Sequence, residues 1–189
     1  MKTSGIKLIN FKKKSNLLSV KRNLKIILKE KNQVIESLKT SYQNNFEKKK
    51  ILKYKKATNF RIIGMGGSSL GANAIYDFLK KKIKKNFLFF DNLQTNLKVD
   101  NKKKHTNLII SKSGNTVETI INANILIKKK DKNIFITENK NSYLHLLANK
   151  LKAEIIHHNN YIGGRYSVLS EVGMIPSELM GLNPLKFKQ

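Results

Sequence analysis

Five short apolar runs, Phe60–Ile63, Phe87–Phe90, Leu108–Ile110, Ile134–Ile136 and Ala153–Ile156, alternate with stretches in which apolar residues recur at three- and four-residue steps. This alternation limits the fold more than any other feature of the chain. A run that is apolar at nearly every position has no polar face to turn to water, so it belongs in a sheet covered on both sides. The helical patterns run over Leu70–Lys82, Thr116–Lys129 and Tyr143–Asn149, and another follows Arg165 through Met180. Strands that alternate with helices make right-handed parallel crossovers, and for five strands the order 2-1-3-4-5 is the common solution. We therefore expect an α/β domain over residues 59–189, a five-stranded parallel sheet of that order with helices on both faces.

Residues 1–58 have a different texture and read as a lysine-rich helical arm. Leu17, Val20, Leu24, Ile27, Val34 and Leu38 follow helical spacing across 16–46, and Lys31 interrupts the row, so one helix or two fit the pattern. The stretch Glu47–Lys56 reads as the arm's charged end.

The net charge of +26 first suggests nucleic acid. Of the 38 basic residues only Arg22, Arg61 and Arg165 are arginines, however, whereas base edges and phosphate forks favour arginine. With 23 Asn beside the lysine excess, the bias reads as compositional drift, and no nucleic-acid partner is expected. The chain has 0 Cys, which excludes disulfide frameworks, thiolate zinc sites and cysteine nucleophiles. No apolar run approaches the roughly 18 residues of a membrane span, and Met1–Gly5 lacks the apolar core of a signal peptide. A cytoplasmic protein without a membrane partner is expected.

Two loops combine glycine with hydroxyl residues directly after a strand: Gly64-Met65-Gly66-Gly67-Ser68-Ser69 and Ser111-Lys112-Ser113-Gly114-Asn115-Thr116. In the order 2-1-3-4-5 the first and third strands are neighbours whose connections leave in opposite directions. The crevice beyond their carboxyl ends is where such folds bind ligands. Each loop opens a helix, so backbone N–H groups, the hydroxyls of Ser68, Ser111, Ser113 and Thr116, and the charge of Lys112 suit a phosphate monoester. Ordinary helix capping accounts for either loop taken alone. A dinucleotide fingerprint fails at Ser69 and a P-loop fails at Ala72. Gly67-Ser68-Ser69-Leu70-Gly71 also satisfies the hydrolase elbow, with Ser69 as nucleophile and His145, His157 or His158 as base, but that reading leaves the second loop unexplained. A third segment, Gly163-Gly164-Arg165-Tyr166-Ser167, places a rare arginine after two glycines. A fixed guanidinium there suits a developing oxyanion; its bland alternative is a surface salt bridge with Glu171 or Glu154.

Taken together, Gly64–Gly71, Ser111–Thr119 and Gly163–Ser167 resemble, in order and spacing, the N-terminal sugar isomerase (SIS) domain of the glucose-6-phosphate isomerase family, over about residues 59–183. The resemblance implies aldose–ketose isomerisation of glucose 6-phosphate and fructose 6-phosphate through an enediolate, with no metal and no organic cofactor. It implies that Ser111, Lys112, Ser113 and Thr116 hold the phosphate, that Gly67 and Ser68 line the sugar, and that Arg165 stabilises the enediolate. Glu118 matches an acidic position behind the site, and full-length members are expected to be homodimers. The family's Glu-Ser-Asn-Gly base motif matches none of the 12 carboxylates. Glu171 and Glu178 read as helix-surface charges. The expectation is thus a truncated isomerase without its second domain, its alternative a stand-alone, non-catalytic phosphosugar-binding module. Truncation would leave Val168, Leu169, Val172, Met174, Ile175, Leu179 and Met180 as an exposed apolar face.

Overall fold

A computed structural model describes residues 17–93 and 103–189. Phe60, Ile62 and Ile63 are fully buried, as their apolar run requires, and belong to β1 (Asn59–Ile63), an interior strand of the sheet. The other strands are β2 (Asn86–Phe90), β3 (Thr106–Ile110), β4 (Lys132–Thr137) and β5 (Glu154–His157). All pairings are parallel, in the order β2-β1-β3-β4-β5, which is the expected topology.

Successive residues of each central strand feed opposite cores, as the two-residue period of a strand dictates. Phe60, Ile62, Leu108, Ile110, Ile134 and Ile136 pack on one face, against Ala72 of helix α4 (Leu70–Leu79) and against Val172, Ile175 and Leu179 of helix α7 (Glu171–Leu179). Ile63, Ile109 and Phe135 pack on the other, against Ala123 and Leu126 of α5 (Val117–Leu126) and Leu144 and Ala148 of α6 (Tyr143–Lys150). Arg61 is buried in this layer too. Its guanidinium donates to the Leu126 carbonyl at 2.8 Å and pairs with Asp131 at 3.3 Å. Asp131 also accepts from the backbone N–H of Lys128, which turns the chain there and ends α5 at Leu126, three residues before the expected Lys129.

The N-terminal segment forms α1 (Leu18–Lys29), α2 (Gln33–Leu38) and α3 (Lys48–Leu52). The break falls at Lys31, and the Asn32 side chain caps α2 by accepting from the Val34 N–H, a gain the uninterrupted helix would lack. The charged stretch Glu47–Lys56 is no mere solvated end, because Ile51 and Tyr54 reach into the core.

Helix α7 corrects two expectations. Val172, Met174, Ile175, Leu179 and Met180 are buried within this chain, and Val168 and Leu169 are half-buried, so no apolar face is left bare there. Gly173 permits it: a Cβ at this position would lie 2.1 Å from the Val168 carbonyl oxygen, so only glycine lets α7 close onto the preceding turn. Nor are its carboxylates surface charges. Glu171 is 0% exposed, and Glu178 lies within 2.5 Å of Lys55 Nζ at a largely buried position.

Candidate functional site

Register places the two hydroxyl loops together. Ile62 and Ile63 of β1 pair with Leu108 and Ile109 of β3, so both strands end at the same edge of the sheet. Gly64 leaves β1 so close to β3 that a Cβ there would lie 2.8 Å from the Ile110 carbonyl oxygen. Met65 starts a tight turn, Gly66–Ser68, that leads into α4. Gly66 takes φ +54°, a left-handed conformation suited to glycine.

The third segment closes on the first. A Cβ on Gly67 would sit 2.3 Å from the carbonyl oxygen of Gly164, so the two backbones touch where neither carries a side chain. Ser167 fastens the joint, its one hydroxyl proton shared between the Gly164 carbonyl at 2.8 Å and the Gly67 carbonyl at 3.1 Å. Arg165, next in the chain, is exposed and makes no ion pair with another described residue. The bland alternative is therefore not realised: Glu154 pairs with Lys53 and Glu171 with His158. Arg165 and Gly67 line one groove of about 820 Å³ together with Leu70, Ala74, Phe78 and Val168.

The second loop is folded around its own hydroxyls. Ser111 Oγ lies 2.9 Å from Thr116 Oγ1 and accepts from the Gly114 N–H at 3.2 Å. Ser113 Oγ lies 3.5 Å from the same Thr116 hydroxyl and accepts from the Asn115 N–H. Thr116 occupies the N-cap of α5, but its hydroxyl caps no backbone N–H of the helix, so first-turn amides stay available at the loop. Gly114 has φ +68°, and a Cβ there would lie 2.1 Å from Ser142 Oγ; the Leu144 N–H donates to the Gly114 carbonyl at 3.0 Å and the Tyr143 N–H to Asn115 Oδ1 at 2.9 Å, which holds the loop against the start of α6. Glu118 lies half-buried in the first turn of α5, where a negative charge is favoured by the helix dipole.

Lys112 departs from the simplest expectation. Its amine donates to the carbonyl oxygen of Asn160 and lies 3.7 Å from Glu138 Oε1. The lysine thus ties the second loop to the segment that carries Arg165. Ser69 is buried and its hydroxyl donates to the Gly66 carbonyl, while the ring of His158 is taken by Glu171 and Ile162. The elbow reading finds no nucleophile–base pair here.

Two features carried no sequence signal. Burial pushes the Glu171 carboxyl up, but hydrogen bonds from His158 and from the backbone N–H groups of Glu171 and Asn45 outweigh it and hold the carboxyl below the ordinary glutamate range. The other is the apolar groove, in which Phe78 is 89% exposed and Leu70 55% exposed. Among the described residues no cluster of His, Asp or Glu is arranged to hold a metal ion, and no helix is long and apolar enough to cross a membrane.

The Phosphoglucose isomerase family model matches residues 12–186. Glucose-6-phosphate isomerase of Acholeplasma laidlawii is 36% identical over 142 residues, 65% of this chain and 33% of that protein. The enzyme of Methanocaldococcus jannaschii is 34% identical over 162 residues, 75% of this chain and 37% of that protein. The chain thus spans about a third of the length of these relatives. Among solved structures, a hypothetical protein from Thermus thermophilus superposes with a TM-score of 0.68 at 21% identity, covering 91% of this chain and 45% of that one. Tagatose-6-phosphate ketose/aldose isomerase from Escherichia coli superposes at 0.56 with 18% identity, covering 75% and 44%. At such identities the structures bear on fold alone. The chain belongs to the phosphoglucose isomerase family.

Proposed function

We propose that this member of the phosphoglucose isomerase family supplies the phosphate grip and the oxyanion-stabilising arginine of a glucose-6-phosphate isomerase. One observation carries the reading. Three segments far apart in sequence meet at the carboxyl ends of β1 and β3, with Gly67 against Gly164 and Lys112 bonded to Asn160. In this reading the phosphate of glucose 6-phosphate or fructose 6-phosphate accepts from Ser111, Ser113, Thr116 and the first amides of α5, and the Lys112 amine adds charge at the loop's edge. The sugar lies along Gly67 and Ser68. Starting from glucose 6-phosphate, a base takes the proton from carbon 2 and the electron pair moves onto the carbonyl oxygen of carbon 1. Arg165 meets the enediolate so formed. The hydroxyl proton on the carbon 2 oxygen passes to the carbon 1 oxygen, and the base returns its proton to carbon 1 to give the ketose; the reverse direction retraces these steps. A guanidinium fixed in advance lowers the energy of that oxyanion without reorganisation. Glu118 stands behind the second loop. The base is assigned to sequence of the longer relatives that this chain does not match. A cytoplasmic location, a homodimeric full-length protein and the division into an arm over 1–58 and a phosphosugar domain over 59–189 belong to the same proposal.

Calorimetric titration of the 189-residue chain tests it. Glucose 6-phosphate and fructose 6-phosphate should bind, glucose and inorganic phosphate should bind at least about tenfold more weakly, and replacing both Ser111 and Thr116 by Ala should remove the preference. Equal affinity for sugar phosphate and inorganic phosphate would sink the assignment. The burial of α7 within the chain favours a second reading, a self-standing, non-catalytic phosphosugar-binding module. In a coupled assay the pure chain should not isomerise fructose 6-phosphate on either reading, and turnover at ordinary enzyme rates would overturn both, because neither places a base in this chain.

A further inference from the structure

His158 turns both ring nitrogens toward oxygen acceptors. Nδ1 lies 3.2 Å from Glu171 Oε2, and Nε2 lies 3.1 Å from the carbonyl oxygen of Ile162. The two side chains are 1% and 0% exposed. A neutral imidazole has one N–H and one lone pair, so it points the lone pair at one of these oxygens; only the doubly protonated ring donates to both. Away from water an unmatched acceptor is costly, and Glu171 provides the balancing charge. The other Glu171 oxygen accepts from the Asn45 N–H at 3.2 Å, so the carboxylate is fixed from two sides.

The placement of this pair gives it a consequence. His158 directly follows β5, Ile162 precedes Gly163-Gly164-Arg165, and Glu171 opens α7. One ring therefore joins the strand end, the residue three before Arg165 and the residue six after it. Arg165 has no side-chain partner of its own among the described residues, so its direction follows from the path of this closed loop. We propose that His158 and Glu171 are positioning residues for Arg165, their buried hydrogen-bonded pair fixing the course of residues 158–171 and thereby the direction of the guanidinium beside Gly67. This rests on the reading of Arg165 as the oxyanion-stabilising group. Besides Glu171, the charged and titratable groups around the pair are Tyr42 from the arm, Tyr161 from the loop and Lys188 near the C-terminus.

The test compares two phosphorylated probes on the full 189-residue chain: 5-phospho-D-arabinonate, whose planar carboxylate stands in for the enediolate, and D-arabinitol 5-phosphate, which lacks that charge. Their affinity ratio isolates what Arg165 contributes, because both carry the same phosphate. Arg165→Gln should reduce the ratio to near one. Glu171→Gln and His158→Gln should each lower it about tenfold while arabinitol phosphate affinity stays within about twofold, as a misaimed but intact arginine requires. Proton–nitrogen NMR of His158 in the unaltered chain should show an N–H on both ring nitrogens, as its two oxygen acceptors require. A ratio lowered by Arg165→Gln but not by Glu171→Gln overturns the positioning role and leaves the function of Arg165 intact. A ratio that Arg165→Gln does not lower overturns both. Should the variants fail to fold, a single ring N–H on His158 overturns the positioning role on the unaltered protein.

Discussion

Adding one methyl group at Gly67 should damage both fold and site, whereas the same change at its neighbour Gly66 should cost only backbone strain. The Cβ of Gly67→Ala would stand 2.3 Å from the Gly164 carbonyl oxygen, 2.5 Å from its carbon and 2.8 Å from its Cα. These are backbone atoms with no rotamer to swing aside. Side-chain carbons do not approach such atoms closer than 3.0 Å, so the two turns must part by at least about 0.7 Å. Forced separation of a packed contact typically costs about 1–3 kcal/mol. For a chain of this size that lowers the melting temperature by roughly 2–12 °C. The larger effect falls on the site, because Ser167 bonds both backbones and Arg165 moves with Gly164. A displacement approaching 1 Å loses on the order of 10²-fold where geometry matters, so phosphosugar affinity should fall by about tenfold or more. At Gly66 nothing lies within 4 Å of a built Cβ, and the penalty is the left-handed φ of +54° alone, about 1–2 kcal/mol. Differential scanning calorimetry and titration with glucose 6-phosphate read both variants. If Gly67→Ala melts and binds like the parent chain, the contact between the first and third segments does not build the site.

Three other outcomes follow from the structure. Asp131→Ala removes one carboxylate from the buried Arg61 guanidinium together with the bond to the Lys128 N–H, and urea denaturation should show a loss of about 3–5 kcal/mol; a loss below about 1 kcal/mol would mean that the Asp131 carboxylate adds little to the pairing of Arg61. Glu171 has a folded-state pKa below its unfolded value, so its stabilisation is complete above the unfolded glutamate range near pH 4.3 and is lost as pH falls through the lower folded value. Melting curves should therefore show an acid-dependent drop that Glu171→Gln removes, and an unchanged acid limb in that variant would contradict the assignment. Ser111→Ala breaks the bonds to Thr116 and the Gly114 N–H, and should lower stability by about 1 kcal/mol and phosphosugar affinity by about tenfold; calorimetry that finds only the stability loss would make Ser111 a scaffold residue.

What the sequence disclosed depended on the range of the forces involved. Strands β1 to β5 were legible because runs such as Phe87–Phe90 and Ile134–Ile136 carry their own signature, and order followed from crossover handedness. The two hydroxyl loops were legible because the same order makes β1 and β3 neighbours. Helix ends were less so: the stop of α5 at Leu126 depends on the Asp131 side chain capturing the Lys128 N–H, and nothing in the periodicity announces it. The Lys112–Asn160 contact and the His158–Glu171 pair join residues 48 and 13 positions apart, and no local pattern links the two members of either pair. Glu171 in particular read as a solvated charge because first-turn acids usually are, and its burial becomes affordable only once His158 and Asn45 arrive from elsewhere in the fold.

The apolar residues of α7 and α4 show the same limit from the other side. A stripe at helical spacing states that something must cover it, without saying what. Val172, Ile175 and Leu179 suggested a missing partner, yet the chain's own sheet and α4 cover them, aided by Gly173, which lets the helix approach. Leu70 and Phe78 stand on α4, whose Ala72 is buried in the same core, and they remain exposed beside Arg165. The uncovered apolar surface thus exists, but on α4 beside Gly67 and Arg165, away from the helix on which the spacing alone had placed it. Any account of what meets that surface must therefore also account for Arg165, because the two share one groove.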